Sequence, residues 1–116
     1  MASLKSPSLV LDASAVVWII EGSPQAAVLQ QAVLKAELVL APELMLTEVS
    51  NGLWRLQRTG QLQADGLQLC LFRAAALEDH IEPDCHLQVE ALALARHLDR
   101  QVDDCLDLAL ATQVLP

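Results

Sequence analysis

The apolar positions of this chain fall into short runs separated by turn residues. Residues 8–11, Ser-Leu-Val-Leu, form a β-compatible run that stops at Asp12, and Ala13 to Ile20 continues as a short helical stretch. Ser23-Pro24 marks a helix start, with Ser as N-cap and Pro in the first turn, for a helix reaching about Lys35. Leu38-Val39-Leu40 is the next strand-like triplet, and Pro42 opens a long helix to about Arg58, stopped by Gly60. On a 100° wheel Met45, Leu46, Val49, Leu53 and Leu56 share one face of that helix, while Glu48, Asn51 and Arg55 share the flank.

Further along, Leu67, Leu71, Ala74 and Leu77 lie near helical spacing and predict a fourth helix over about 63–77. His80-Ile81-Glu82 reads as a short edge strand. Asp84 then caps a fifth helix carrying Leu87, Ala91, Leu94 and Leu98, and Asp103 or Asp104 starts a last one reaching toward Val114. Strands alternating with helices predict an α/β fold with a parallel sheet and right-handed crossovers. Such sheets place their sites at the carboxyl ends of strands, where Asp12 falls.

Length and composition narrow the picture. The 116 residues suit one domain, 1–116, and a hydrophobic share of 53% excludes disorder through low hydrophobicity. No apolar run reaches the ~18 residues a membrane helix needs, and Met1-Ala2-Ser3-Leu4-Lys5 lacks a signal-peptide apolar stretch, so the expectation is a soluble cytoplasmic protein. Fifteen acids against seven bases give a net charge of −8, a field that repels phosphate backbones unless the few bases cluster. With aromatics at 3% and no Tyr, a base-stacking platform is nearly excluded, so any nucleic-acid chemistry is expected to run through metal ions. Cys70, Cys85 and Cys105 lack CxxC spacing and read as reduced thiols.

Phosphodiester hydrolysis with bound Mg²⁺ or Mn²⁺ needs carboxylates from distant parts of the chain converging on a hard cation. Asp12 at a strand end, Glu48 on a helix flank and Asp104 at a helix start fit that pattern. Each also has a plainer role. Asp12 can cap the helix beginning at Ala13, Glu48 can be a solvated helix residue, and Asp103, Asp104 and Asp107 are what a helix dipole favours in a first turn. Glu48 has no Lys or Arg at i±3 or i±4 to pair with it.

The order of Val10-Leu11-Asp12-Ala13-Ser14, Leu40-Ala41-Pro42-Glu43-Leu44, Thr47-Glu48-Val49-Ser50-Asn51-Gly52-Leu53 and Asp103-Asp104-Cys105-Leu106-Asp107-Leu108-Ala109-Leu110-Ala111 resembles a PIN domain. That family is a metal-dependent ribonuclease fold found in many bacterial toxin–antitoxin pairs, the VapC-like toxins among them. The resemblance implies a three-layer α/β/α fold and a Mg²⁺ or Mn²⁺ site at Asp12, Glu48 and Asp104, where metal activates water for in-line attack on RNA phosphate. It also implies a hydroxyl at Ser14 near the first acid and an Asn at Asn51 that orients carboxylate or substrate. An antitoxin protein is the implied partner.

The family pattern continues with a strand bearing a fourth acid, which this sequence does not match after Ala111-Thr112-Gln113-Val114-Leu115-Pro116. Asp107, one turn after Asp104, is the candidate substitute in the metal site. Two function readings follow: a metal-dependent ribonuclease weakened by the missing acid, or a PIN-derived interaction and oligomerisation module without catalysis. Without the usual neighbouring strand, the run 8–11 becomes an apolar sheet edge, and a homodimer or another chain is expected to cover it. A mean hydropathy of +0.36 fits a chain that hides surface in a partner.

Among the bases, Arg55 and Arg58 lie on the Glu48 flank, where Arg55 can meet phosphate, and Arg100, at i−4 from Asp104, reads as an ordinary helix ion pair. His80, Cys85 and His86 lack zinc-ligand spacing, His97 reads as a surface residue, Ser14 has no Gly-x-Ser-x-Gly elbow, and Met45 and Trp54 read as packing residues.

Overall fold

The computed structural model describes residues 8–114; the stretch 1–7, on which the reading of no signal peptide rests, lies outside the described residues, as do 115 and 116. The elements are β1 (Leu9–Val10), α1 (Ala13–Glu21), α2 (Ala26–Lys35), β2 (Val39–Pro42), α3 (Leu44–Arg58), α4 (Leu67–Ala76), β3 (His80–Glu82), α5 (Gln88–Leu98) and α6 (Val102–Val114), with 3-10 turns at Ala64–Gly66 and Asp84–His86. The described strands form one parallel sheet in the order β1-β2-β3, with Leu9 opposite Val39, Val10 opposite Leu40, and Ala41 opposite Ile81. This is the expected α/β architecture, with β1 and β3 at the two edges.

Alternation along the central strand builds two cores, because successive side chains of a strand point to opposite faces. Val39 and Ala41 join Leu11, Val16, Met45, Val49, Leu53 and Ala74 on the face covered by α1, α3 and α4. Leu40 joins Leu87, Ala91, Ala95, Cys105, Leu106, Ala109 and Leu110 on the face covered by α5 and α6. All four residues of β2 are buried, which explains its uninterrupted apolar sequence.

Several boundaries differ from the sequence reading for local reasons. Pro42 belongs to β2 rather than to the helix, since pairing with β3 runs to Pro42 opposite Glu82 and the next N–H, Glu43, donates to the Glu82 carbonyl at 2.9 Å. Ser23 does not cap α2: its hydroxyl bonds the Gln25 side chain, and the helix begins only at Ala26. The helix expected over 63–77 is split into the Ala64–Gly66 turn and α4.

Asp84 does not cap α5 either. Its Oδ1 accepts the Leu44 N–H at 3.1 Å, while its own N–H donates to Glu43 Oε1 at 3.3 Å. It therefore caps α3, forty residues away in sequence, and locks that helix to the end of β3. Arg100 is not on one helix with Asp104, because α5 ends at Asp99 in the left-handed region (φ 55°), and no ion pair joins the two among the described residues.

Candidate metal centre

The carboxyl ends of parallel strands and the amino ends of the helices that follow them meet on one rim of the sheet. There Asp12, Ala13, Ser14, Glu48, Asp103, Asp104 and Asp107 line a single cleft of about 200 Å³. Asp12 follows β1 and is exposed; its Oδ1 accepts the Ala15 N–H at 2.8 Å, so its plainer role as the cap of α1 is present together with its place in the cleft. Glu48 reaches the cleft from α3, whose opposite face is anchored by buried Met45, Val49 and Leu53. Asp103, Asp104 and Asp107 come from the first turns of α6, fixed by buried Cys105, Leu106, Ala109 and Leu110.

The electrostatics are those of an unneutralised acidic cluster. Burial raises the Glu48 carboxyl above its usual range, and Asp103, Asp104, Asp12 and Asp84 add repulsion in that order. The Asp107 carboxyl is pushed up to about 7, chiefly by burial and then by Asp12, Glu48, Asp104 and Asp84. No ion pair involves any of these acids among the described residues. Drawn from positions 12, 48, 84 and 103–107, these groups feel one another across the partly buried cleft they share. Carboxylate oxygens are the ligands that Mg²⁺ and Mn²⁺ prefer, so the donor set fits a hard divalent cation. Among the described residues no group of three or more His, Cys, Asp or Glu side chains stands close enough together to hold a metal ion as placed. The acids share a cleft rather than a finished cage.

A second hollow of about 370 Å³ adjoins the cleft through Ala13, Ser14 and Glu48 and extends past Val17, Trp18, Glu21 and Gly52 to Arg55 and Leu56. Ser14 thus lines both spaces and Arg55 stands along the second. Asn51 is exposed and lines neither. Arg58 stacks over Trp54 at 4.8 Å from the ring centroid; of the two residues read as packing, Trp54 is 52% exposed and Met45 is buried.

Sequence reasoning missed three members of this region. Asp103 was read as a helix-start and dipole residue and not as a site residue, although it lines the cleft. Asp84 bears on both raised carboxyls from the end of β3. Gly52 borders the groove where α3 crosses α1: a Cβ there would lie 3.1 Å from Val17 Cγ2. A glycine inside an otherwise regular helical pattern was the available signal for that close approach.

Other polar clusters lie apart from the cleft. His80 Nε2 stands 2.8 Å from Glu82 Oε1, and His86 Nδ1 bonds the second oxygen of the same carboxylate. These contacts, that to His86 first, hold the Glu82 carboxyl below its usual range. Glu78, just before β3 and hence at the opposite end of the sheet, has both carboxylate oxygens buried without a partner from another residue, and burial pushes it up to about 7. Cys70, Cys85 and Cys105 are free thiols, half-buried, exposed and buried respectively. No helix among the described residues is long and apolar enough to cross a membrane.

The PIN domain model matches residues 9–114, a span holding the sheet, both cores and every acid of the cleft. No curated protein matches the chain as a relative. On the extent of that match, the chain belongs to the PIN domain family.

Proposed function

We propose that this PIN-domain chain is a metal-dependent endoribonuclease of the VapC-like toxin type, acting in the cytoplasm and restrained by an antitoxin protein. The observation that carries the reading is the joint lining of one cleft by Asp12, Glu48, Asp104 and Asp107, contributed by three different elements. Those four carboxylates hold Mg²⁺ or Mn²⁺, with Asp12, Glu48 and Asp104 as the catalytic set and Asp107 completing it. When bound, the ion supplies Lewis acidity to an RNA phosphate and acidifies water at neutral pH.

The chain's own residues do the rest. Asp12, fixed by its cap to α1, and Glu48, fixed by the buried face of α3, set where charge can be neutralised. Arg55, along the hollow that adjoins the cleft, takes a flanking phosphate of the RNA, and Ser14, which lines both spaces, offers a hydroxyl between them. Asn51 serves the substrate outside these hollows. With a net charge of −8 the chain attracts RNA weakly, so binding is modest and falls with salt.

The test is calorimetric titration of Mn²⁺ into the native protein and into Asp12→Asn. Saturable binding that the substitution abolishes supports the reading, and cleavage of single-stranded RNA that depends on the same ion completes it. A folded native protein that takes up no Mn²⁺ overturns it in favour of a PIN-derived interaction module.

A further inference from the structure

Two helices meet beside the acidic cleft, and their facing residues line a space of different chemistry. Ser14, Val17, Trp18 and Glu21 recur at one-turn spacing along α1, and Glu48, Gly52, Arg55 and Leu56 do so along α3, so each set shares a helix face. These faces line the hollow of about 370 Å³ that opens from Ser14 and Glu48 at the cleft, a volume in the range of small-ligand pockets. The α1 wall runs about 10 Å from Ser14 to Glu21. Val17 and Leu56, packed against the core, make part of the lining apolar. Three other side chains are uncommitted. Trp18 is 42% exposed and belongs to neither core, and the cation that stacks on a ring among the described residues, Arg58, is on Trp54. Glu21 and Arg55 carry opposite charges and line the same hollow. Yet no ion pair joins them, and neither side chain has a hydrogen-bond partner among the described residues.

We infer that this hollow receives one unstacked base of the RNA, a guanine beside the phosphate at the cleft; the identity of the substrate as RNA rests on the ribonuclease reading. Single-stranded RNA is recognised through bases that stack on an aromatic ring and are read along their Watson–Crick edge. Trp18 supplies the ring from α1, and Arg55, on the α3 wall, takes the phosphate of the same nucleotide. Stacking alone is blind to sequence, because every base has a π-face. Glu21 is the residue that discriminates. An ionised carboxylate only accepts hydrogen bonds, so it favours a base edge with donors side by side. Guanine offers two, N1–H and N2–H, and meets both oxygens. Adenine and cytosine set a lone-pair nitrogen beside their amino group, and uracil sets N3–H between two carbonyls, so each brings an acceptor against the carboxylate. A site that pairs both donors rejects a base lacking one of them. Trp18, Trp54 and Phe72 are the chain's aromatics, and that low count limits how many bases stack without preventing one from doing so.

Fluorescence polarisation tests this with ribose-labelled GMP and the native full chain in metal-free buffer, so that the result does not depend on the cation. Unlabelled GMP is expected to displace the probe at a concentration about tenfold below that of IMP, which lacks the 2-amino group, and further below those of AMP, CMP and UMP. Trp18→Leu lowers the affinity for GMP about tenfold and keeps the ratio of GMP to IMP. Glu21→Ala, at an exposed position, removes most of that ratio with the native circular dichroism retained. Absence of GMP binding, equal displacement by GMP and IMP, affinity undiminished in Trp18→Leu, or a ratio that survives Glu21→Ala overturns the inference. Calorimetry with Mn²⁺ scores the ribonuclease reading separately. Uptake of Mn²⁺ without a GMP preference strikes the base site alone, whereas a GMP preference without Mn²⁺ uptake keeps the base site and strikes the ribonuclease reading.

Discussion

Asp12 and Ala15 are joined by a 2.8 Å hydrogen bond from the Ala15 N–H to Oδ1, so one carboxylate both caps α1 and lines the acidic cleft. The two roles separate by substitution. Asp12→Asn keeps an oxygen for the cap while removing a charge from the cluster, and its stability stays near that of the native chain. Asp12→Ala loses the cap as well and is expected to fall about 1 kcal/mol below Asp12→Asn in urea unfolding. Equal midpoints for the two variants would show that the cap contributes nothing.

Asp84 makes a corresponding connection over a longer reach, accepting from Leu44 and donating to Glu43. Its removal uncaps α3, the helix that carries Glu48 and Arg55. Asp84→Ala is expected to cost about 1 kcal/mol, and Asp84→Asn less, by thermal unfolding.

The raised carboxyls fix the sign of the pH dependence. Asp107 and Glu78 both stand at about 7 in the folded chain, above ordinary values of 3.8 and 4.5. Between those limits the folded chain holds protons that the unfolded chain has released, so stability is full below the ordinary values and is lost as pH rises through about 7. Partial exposure of both groups reduces the effect to roughly 1–3 kcal/mol in total. Urea midpoints at pH 5.5 should therefore exceed those at pH 8, and Glu78→Gln should flatten part of that slope while leaving the cleft intact. Glu82, held below the usual range by its two histidines, acts in the opposite sense, and only in more acidic solution.

Gly52 sets the spacing of α1 and α3 beside the groove. Its Cβ would meet a flexible Val17 methyl at 3.1 Å rather than backbone, so Gly52→Ala sets a tight contact against a helix-propensity gain of about 1 kcal/mol. The net change is expected within about 1 kcal/mol of zero. Gly52→Val adds two further carbons and is expected to lose about 1–3 kcal/mol by overpacking. Urea denaturation of the pair reads the difference.

Much of this arrangement was legible in the chain. The apolar face of α3 comes from a pattern with one clear period, the strand before Asp12 from a short apolar run cut by a charge, and the acids of the last helix from a helix start. The structure has a strand at Leu9–Val10, buried Met45, Val49 and Leu53 on α3, and Asp103 and Asp104 in the first turn of α6. Asp84 was misread because its cap partner is forty positions away, and sequence shows only local capping. Arg100 was misassigned because a non-glycine residue, Asp99, takes the left-handed turn that ends α5. Asn51 and Glu48 share a flank on the helical wheel, yet only Glu48 lines the hollows; a wheel gives angle and not depth. The groove itself, formed where α1 meets α3, has no signature except Gly52.

Arg55 offers a way to separate substrate from metal. It lines the hollow beside the cleft but not the cleft of acids. Arg55→Ala is expected to lower kcat/KM for RNA about tenfold, a loss of roughly 1.4 kcal/mol, while leaving Mn²⁺ affinity unchanged. A matching loss of Mn²⁺ affinity in calorimetry would assign Arg55 to holding the site together instead.

Because β2 is apolar at every position, its side chains do not say which residue should face which core, and the usual penalty against slippage is weak. The strand is instead pinned at its ends. The Asp79 carboxylate accepts the Val39 N–H at 2.8 Å where β2 begins, and the Glu82 carbonyl accepts the Glu43 N–H at 2.9 Å where it finishes. A two-residue slip past β3 would keep every face apolar but shift the strand by about 6.6 Å. It would carry α3, and Glu48 with it, away from the aspartates of α6. These terminal bonds are thus the gauge that holds the acids of one helix in alignment with those of another.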